Sequence, residues 1–284
     1  MPKYSLLLLI LTAIYSNAAF SQLYEGKNLS ETTLNQLIDQ VKPGTILLLG
    51  ENHGLASHRD QHIEVLNALR AKGLKVSVGM EFVNYTDQLT LNNYRSGALS
   101  ELDFLTSIKW GGFNFDFYRP QILFPELTKG ETTIGLNIPR FVTSKISRQG
   151  VDSLTSEEKN LLPPNFELGR DTYRERFMVA AGSHCRVPQN CYIAQCAWDD
   201  TMAWKSVEFV NANPEQVLVV VVGEFHVQFG GGIKHRLLQR NPQAKVVTLS
   251  QIWAEEMSDE DVLAALQPSP VEGERADFIW VSRP

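Results

Sequence analysis

The sequence predicts an α/β fold: a mostly parallel central sheet flanked by helices, with a helical insertion capping the carboxyl edge of the strands. Three observations carry that prediction. Four largely apolar runs, Ile46–Leu49, Val76–Met80, Thr132–Leu136 and Val217–Val222, each stop abruptly at polar residues. Such runs read as strands buried on both faces, as parallel strands are. Segments with helical spacing, such as Ile63, Leu66 and Leu69, separate them, which is the βα rhythm of a parallel sheet. Two of the runs end in related motifs, Gly50-Glu51-Asn52-His53 and Gly223-Glu224-Phe225-His226. With 284 residues, 43% of them hydrophobic, one large domain can bury its own core. A net charge of -6 speaks against a broad nucleic-acid-binding surface.

Taken in order, the chain opens on a stretch with a single charge, Lys3, before Glu25. Leu6 to Ile14 is largely apolar, and small residues follow at Ser16, Ala18, Ala19 and Ser21. This is the pattern of a secretory signal peptide over residues 1–21, with cleavage after Ala18 or after Ser21. It predicts a periplasmic or secreted protein whose single domain spans 22–284. The apolar stretch is too short for a mature membrane span. No cysteine lies near the cleavage region for lipid attachment, and no second transmembrane segment follows.

The mature chain then reads as a helix over Glu31–Val41 with Ser30 as its N-cap, a turn at Pro43-Gly44, and the first strand. A helix from Ser57 to Lys72 ends at Gly73, and the second strand runs from Lys75 to Met80. Helices are predicted over Thr86–Arg95 and Ser100–Ile108. The aromatic segment Trp110–Tyr118 follows, and then a helix beginning at Pro120 and reaching Lys129. The third strand ends at Asn137, with a helical stretch after Pro139. Residues from about 150 to 191 break the rhythm with Pro163-Pro164, a charged run over 171–176 and a cysteine loop, and read as the capping insertion. A long helix over Cys191–Asn211 leads to the fourth strand. Gly230–Gly232 turns into a helix ending at Arg240, and Lys245–Leu249 and Phe278–Val281 are the last strands. Cys185, Cys191 and Cys196 lie together. In an exported protein this suggests one disulfide and one spare thiol, with Cys185–Cys191 favoured because it closes a short loop.

Ligands of open α/β sheets bind outside the carboxyl ends of the strands, so the polar residues there are the functional candidates. Glu51, His53, Glu81 and His226 mix carboxylate and imidazole, a donor set suited to Mn, Fe, Co or Zn. A metal with an open position would activate water, with Glu51 or Glu81 as base and Asn137 or Arg140 holding the substrate. His58 and His62, four residues apart, share one helix face and are a second candidate pair. Tyr85 and Tyr118, beside the aromatic segment, are candidate phenolate ligands for ferric haem.

The ordered set Gly50-Glu51-Asn52-His53, Gly79-Met80-Glu81-Phe82, Tyr118-Arg119-Pro120, Ile134 to Arg140, Ala194-Gln195 with Trp198 to Ala203, and Gly223-Glu224-Phe225-His226 resembles the ChaN-like family. These are bacterial haem-binding or iron-regulated exported proteins, within a superfamily that also holds the Tiki metalloproteases, the TraB/PrgY proteins and the erythromycin esterases. The resemblance implies haem as ligand, a role in haem or iron uptake and contact with membrane-associated uptake machinery. Haem shared between two subunits of a homodimer stays open. Through the Tiki-like relatives the same motifs imply a metal-dependent hydrolase acting on a peptide or small-molecule ester. Carried over by position, Glu51, His53, Glu81 and His226 form the polar site. The family is often lipid-anchored, and this chain lacks the cysteine that would require.

Overall fold

The computed structural model describes residues 21–182 and 185–283; the signal-peptide reading falls on residues outside that range, save for Ser21. Among the described residues, eight strands form one sheet: β1 (Ser21–Glu25), β2 (Glu31–Thr32), β3 (Thr45–Glu51), β4 (Lys75–Asn84), β5 (Thr133–Asn137), β6 (Gln216–Gly223), β7 (Lys245–Trp253) and β8 (Phe278–Ser282). Their order is β2-β1-β8-β7-β3-β6-β4-β5. All neighbours from β8 to β5 run parallel, while β1 pairs antiparallel with β8 and β2.

The central strands are buried on both faces because their side chains alternate between two cores. Leu47, Leu49, Val217, Val219 and Val221 point into one, shared with Val65, Leu66 and Leu69 of the helix Ala56–Ala71. Ile46, Leu48, Leu218, Val220 and Val222 point into the other, shared with Met202 and Val207 of the helix Pro188–Ala212 and with Leu237. At about 25 cal/mol per Å² of apolar surface, burial on both faces is the main stabilising term. No helix of the described residues is long and apolar enough to cross a membrane.

Several expectations shift in the structure. The first helix is Leu34–Gln40, capped by Thr33 in a capping box with Gln36, and Glu31–Thr32 is instead the short β2. The helix expected to reach Lys129 stops at Leu123, because Pro125 has no N–H with which to continue the helical hydrogen bonds. A helix over Asp259–Leu266, with Ser258 and Asp261 as a capping box, was not anticipated. The 150–191 segment is helical where it is ordered into elements, chiefly Asp171–Ala181, and Cys185 is joined to Cys191 with Cys196 free and buried.

Candidate functional site

The sheet order places the two related motifs side by side. β3 and β6 are parallel neighbours in a register that sets Glu51 beside Gly223. β4 lies on the far side of β6 and stays paired with it only as far as Met80–Val221. Its register with β5 then slips between Met80 and Asn84. A slip of this kind re-aims side chains at the end of a strand. Glu81 sits in the slipped stretch and turns over the end of β6, where one carboxylate oxygen accepts the Gly223 amide at 2.7 Å.

The result is a line of alternating carboxylates and imidazoles. Tyr118 donates to Glu51 at 2.8 Å, and the same Glu51 oxygen lies 2.9 Å from His53 Nδ1. His53 Nε2 is 3.9 Å from Glu81 Oε2, and Glu81 Oε1 is 3.5 Å from His226 Nε2. His226 Nδ1 donates to Asp199 Oδ1 at 2.6 Å. The other Asp199 oxygen accepts from Tyr173 at 2.6 Å and lies 3.7 Å from Arg236 Nη1. Gln195, one helical turn before Asp199, sets its Nε2 3.2 Å from His226 Nδ1. All of these are buried except His53, whose side chain is 28% exposed.

Charge follows from this arrangement. Burial pushes the His226 imidazole down, but Asp199 and Glu81 on its two nitrogens outweigh that and lift it to about 10. Burial would raise Glu81; His226, His53 and the Gly223 amide instead bring it down to about 2. His53 is likewise raised: burial opposes its charge, but the bond to Glu51 and the field of Glu81 prevail over burial and over repulsion from His226. An imidazolium at 226 therefore faces a carboxylate at 81 at neutral pH.

Two hollows flank this line. The larger, about 690 Å³, is bordered by His53, Gln195, His226, Phe177, Gln228 and Arg275. The smaller, about 270 Å³, lies on the other side of Glu81, against Phe82, Trp110, Asn137, Arg140 and Trp198. His53 stands between them, its ring 4.7 Å from that of Phe82 and 5.2 Å from that of Phe113.

Glu51, His53, Glu81 and His226 are thus brought together, and Asn137 and Arg140 lie alongside. The remaining expected residues are placed differently. Tyr118 is fully buried, and burial together with Glu51 raises its phenol far above the ordinary range. Tyr85 lies elsewhere, donating to the Leu161 carbonyl at 3.0 Å with its ring against Trp204. His58 and His62 do share a helix face, but it is the face turned to the core. His58 Nδ1 accepts the Asn52 amide at 3.0 Å, and burial, aided by His62, lowers it to about 3. His62 donates to Gln251 at 2.6 Å. Among the described residues no three His, Cys, Asp or Glu side chains are arranged to hold a metal ion.

Sequence reasoning missed Asp199 and Gln195 as partners of His226, although their spacing of four on one helix puts them on one face. Glu224 was expected at the sheet edge as part of its motif, but without a role. That carboxyl is raised to about 7 by burial, against the lowering effects of Arg275 at 2.9 Å and Ser250 at 2.6 Å.

A family model described as haem-binding uptake, Tiki superfamily, ChaN matches residues 37–237. Among solved structures, that of cofacial haem binding to ChaN of Campylobacter jejuni superposes with a TM-score of 0.67 at 16% identity, covering 93% of this chain and 97% of that one. A Bacillus cereus protein (TM-score 0.47, 13% identity, 89% and 92% covered) and an erythromycin esterase mutant in an open conformation (0.46, 12%, 88% and 78%) are looser. A search of curated proteins finds no match.

Proposed function

The chain belongs to the ChaN family of haem-binding uptake proteins in the Tiki superfamily, and from that premise we propose that it is an exported protein that binds haem in the larger cavity at the sheet's carboxyl edge and serves haem or iron uptake. The observation that carries this reading is His53, a partly exposed imidazole at the rim of a 690 Å³ hollow. That volume falls within the roughly 300–1,000 Å³ usual for cofactor-sized ligands. The residues fit the group. Phe177 and Phe225 line the cavity and offer apolar surface to a flat macrocycle, while His53 is the most accessible imidazole of the line and would face its iron. The four ligands first expected, Tyr85, Tyr118, His58 and His62, are engaged with protein partners or buried, which supports His53 over them. Haem here is cargo, and the iron it carries is what uptake would deliver. Titration of purified protein with micromolar haemin should give a saturable Soret shift that is lost or displaced in His53→Ala; no shift at all would remove the proposal.

A hydrolytic reading has its own observation, the 2.9 Å contact between His53 and Glu51. A carboxylate that orients an imidazole is the arrangement of a general base. In this reading Glu51 holds His53, His53 takes a proton from water, and Arg140 and Asn137 bind the substrate. Turnover of a simple aryl ester or peptide, with and without added Mn or Zn, that disappears in His53→Gln would favour it.

A further inference from the structure

We propose that the smaller hollow between Trp110 and Arg140 is an anion subsite, which receives the carboxylate edge of a planar aromatic acid whose body lies in the larger cavity. The first argument is an unspent guanidinium. Arg70, Arg119, Arg176, Arg240 and Arg275 each hold a carboxylate. Arg140 makes no side-chain hydrogen bond or ion pair among the described residues, although it lines a cavity. Lys109, on the same hollow, is equally without an ion-pair partner there. Asn137 adds an amide whose oxygen is used by the Ile138 N–H at 2.9 Å, leaving its NH2 group without an acceptor among the described residues. An arginine fork and an ammonium placed together recognise carboxylates.

The walls supply the second argument. Phe82, Trp110, Phe113 and Trp198 line the same hollow as the two cations, whose side chains are exposed, and aromatic rings hold flat apolar ligands by stacking. Glu81 is the one carboxylate on this hollow, and it faces away into the pair of imidazoles and the Gly223 amide, so it does not serve as the missing counter-ion. Size decides how much of the ligand enters. At about 270 Å³ the hollow is below the roughly 300 Å³ at which whole cofactor-sized ligands are usually held, so it takes an edge and not a body. His53, packed on Phe82 and Phe113 on this side and bordering the larger cavity on the other, is the point where the two parts of one ligand would meet.

Naming that acid as haem, with its two propionates toward Lys109 and Arg140, rests on the haem reading above; the subsite itself does not. The test compares haemin with haem dimethyl ester, whose carboxylates are blocked, by Soret titration of wild type, of Lys109→Gln with Arg140→Gln, and of Arg140→Lys. Haemin should bind the double variant about tenfold more weakly, equivalent to about 1.4 kcal/mol. The ester should bind both proteins alike, and Arg140→Lys should retain most of the affinity. Unchanged haemin affinity in the double variant, or undiminished preference for haemin over the ester, overturns the subsite while leaving haem binding intact. If wild type shows no Soret change, the haem reading fails, and the subsite is judged with the fluorescent planar acid 1-pyrenecarboxylate. Binding by wild type that the double variant loses supports it; equal binding, or none to either, overturns it.

Discussion

Gly223 makes room for His53: a β-carbon at position 223 would lie 2.8 Å from His53 Nε2 and 2.9 Å from its Cε1. The relationship is reciprocal. A β-carbon on Gly50 would run into the Glu224 carboxylate and sit 3.0 Å from Val227 Cβ. Each motif's glycine clears space for the other motif's functional side chain, which the parallel register of β3 and β6 makes necessary. Gly223→Ala should therefore swing His53 away from Glu81 and weaken haemin binding at least tenfold, a loss of about 1.4 kcal/mol. Because His53 is part-exposed it can yield, so the melting temperature should fall only slightly. Gly50→Ala, hemmed in by buried groups, should cost roughly 1–3 kcal/mol of stability. Soret titration and thermal melting of the two variants distinguish these outcomes; a Gly223→Ala protein with wild-type affinity would show that His53 is not at the ligand.

Asp199 and His226 form a second test. With its folded value lifted to about 10 from an ordinary 6.5, His226 contributes stability that is fully present below pH 6.5 and is lost as pH rises through 10. Glu81 works in the other direction. Depressed to about 2 from 4.5, it contributes stability above pH 4.5 that is lost as pH falls through 2. These two groups taken alone give a flat stretch between pH 4.5 and pH 6.5, with their contributions lost on either side. Asp199→Asn removes the main partner of a buried imidazolium and should cost roughly 3 kcal/mol or more at pH 7. It should also flatten the alkaline limb of the curve. Urea melts across the pH range in both proteins measure this, and an alkaline limb that survives in Asp199→Asn contradicts it.

How much of this site could be read beforehand differs from residue to residue. The ends of β3, β4 and β6 were legible because strands buried on both faces are unbroken apolar runs, and a polar residue at their end has nowhere to go but the sheet edge. That brought Glu51, His53, Glu81 and His226 out of the sequence together. β1 and β2 were not legible: five and two residues at a sheet edge, next to the signal-like stretch, carry no periodicity. Asp199 and Gln195 were hidden by the helix Pro188–Ala212, which is buried nearly all round and so shows no polar stripe. Arg236 is buried beneath the site, yet in sequence it is one more cation on a surface-like helix. Helical spacing showed that His58 and His62 share a face, but spacing alone does not say whether that face meets water or the core.

Glu224 and Arg275 give a prediction of opposite sign to the usual carboxylate. Burial raises Glu224 to about 7, and its Oε2 has no hydrogen-bond partner among the described residues. A carboxyl whose folded value lies above its unfolded one favours folding below pH 4.5 and loses that contribution as pH rises through 7. Glu224→Gln, neutral throughout, should be at least as stable as wild type at pH 8 and should lose less stability than wild type between pH 5 and pH 8. Thermal melts at the two pH values decide the matter; a variant that is much less stable at pH 8 would mean that the Arg275 ion pair outweighs the cost of burying the charge.

Tyr118 separates a ligand from a support. Its phenol donates to Glu51 at 2.8 Å and accepts the Gly54 amide at 3.2 Å. Burial, with Glu51 adding to it, disfavours the phenolate that ferric iron would require. Its position identifies a group that orients Glu51 and, through it, His53. Tyr118→Phe keeps the ring's packing against Phe82 and Trp110 and should cost about 1.5–3 kcal/mol for the lost hydrogen bond to a charged group. The Soret maximum of the haem complex should stay where it is in wild type, since the iron's neighbour is unchanged. A changed maximum, or loss of a phenolate-to-iron charge-transfer band, would instead make Tyr118 a ligand and would require the loop carrying it to open on binding. His53→Ala run in parallel fixes the interpretation: displacement of the maximum in that variant alone assigns the iron to the imidazole and leaves the phenol as its indirect support.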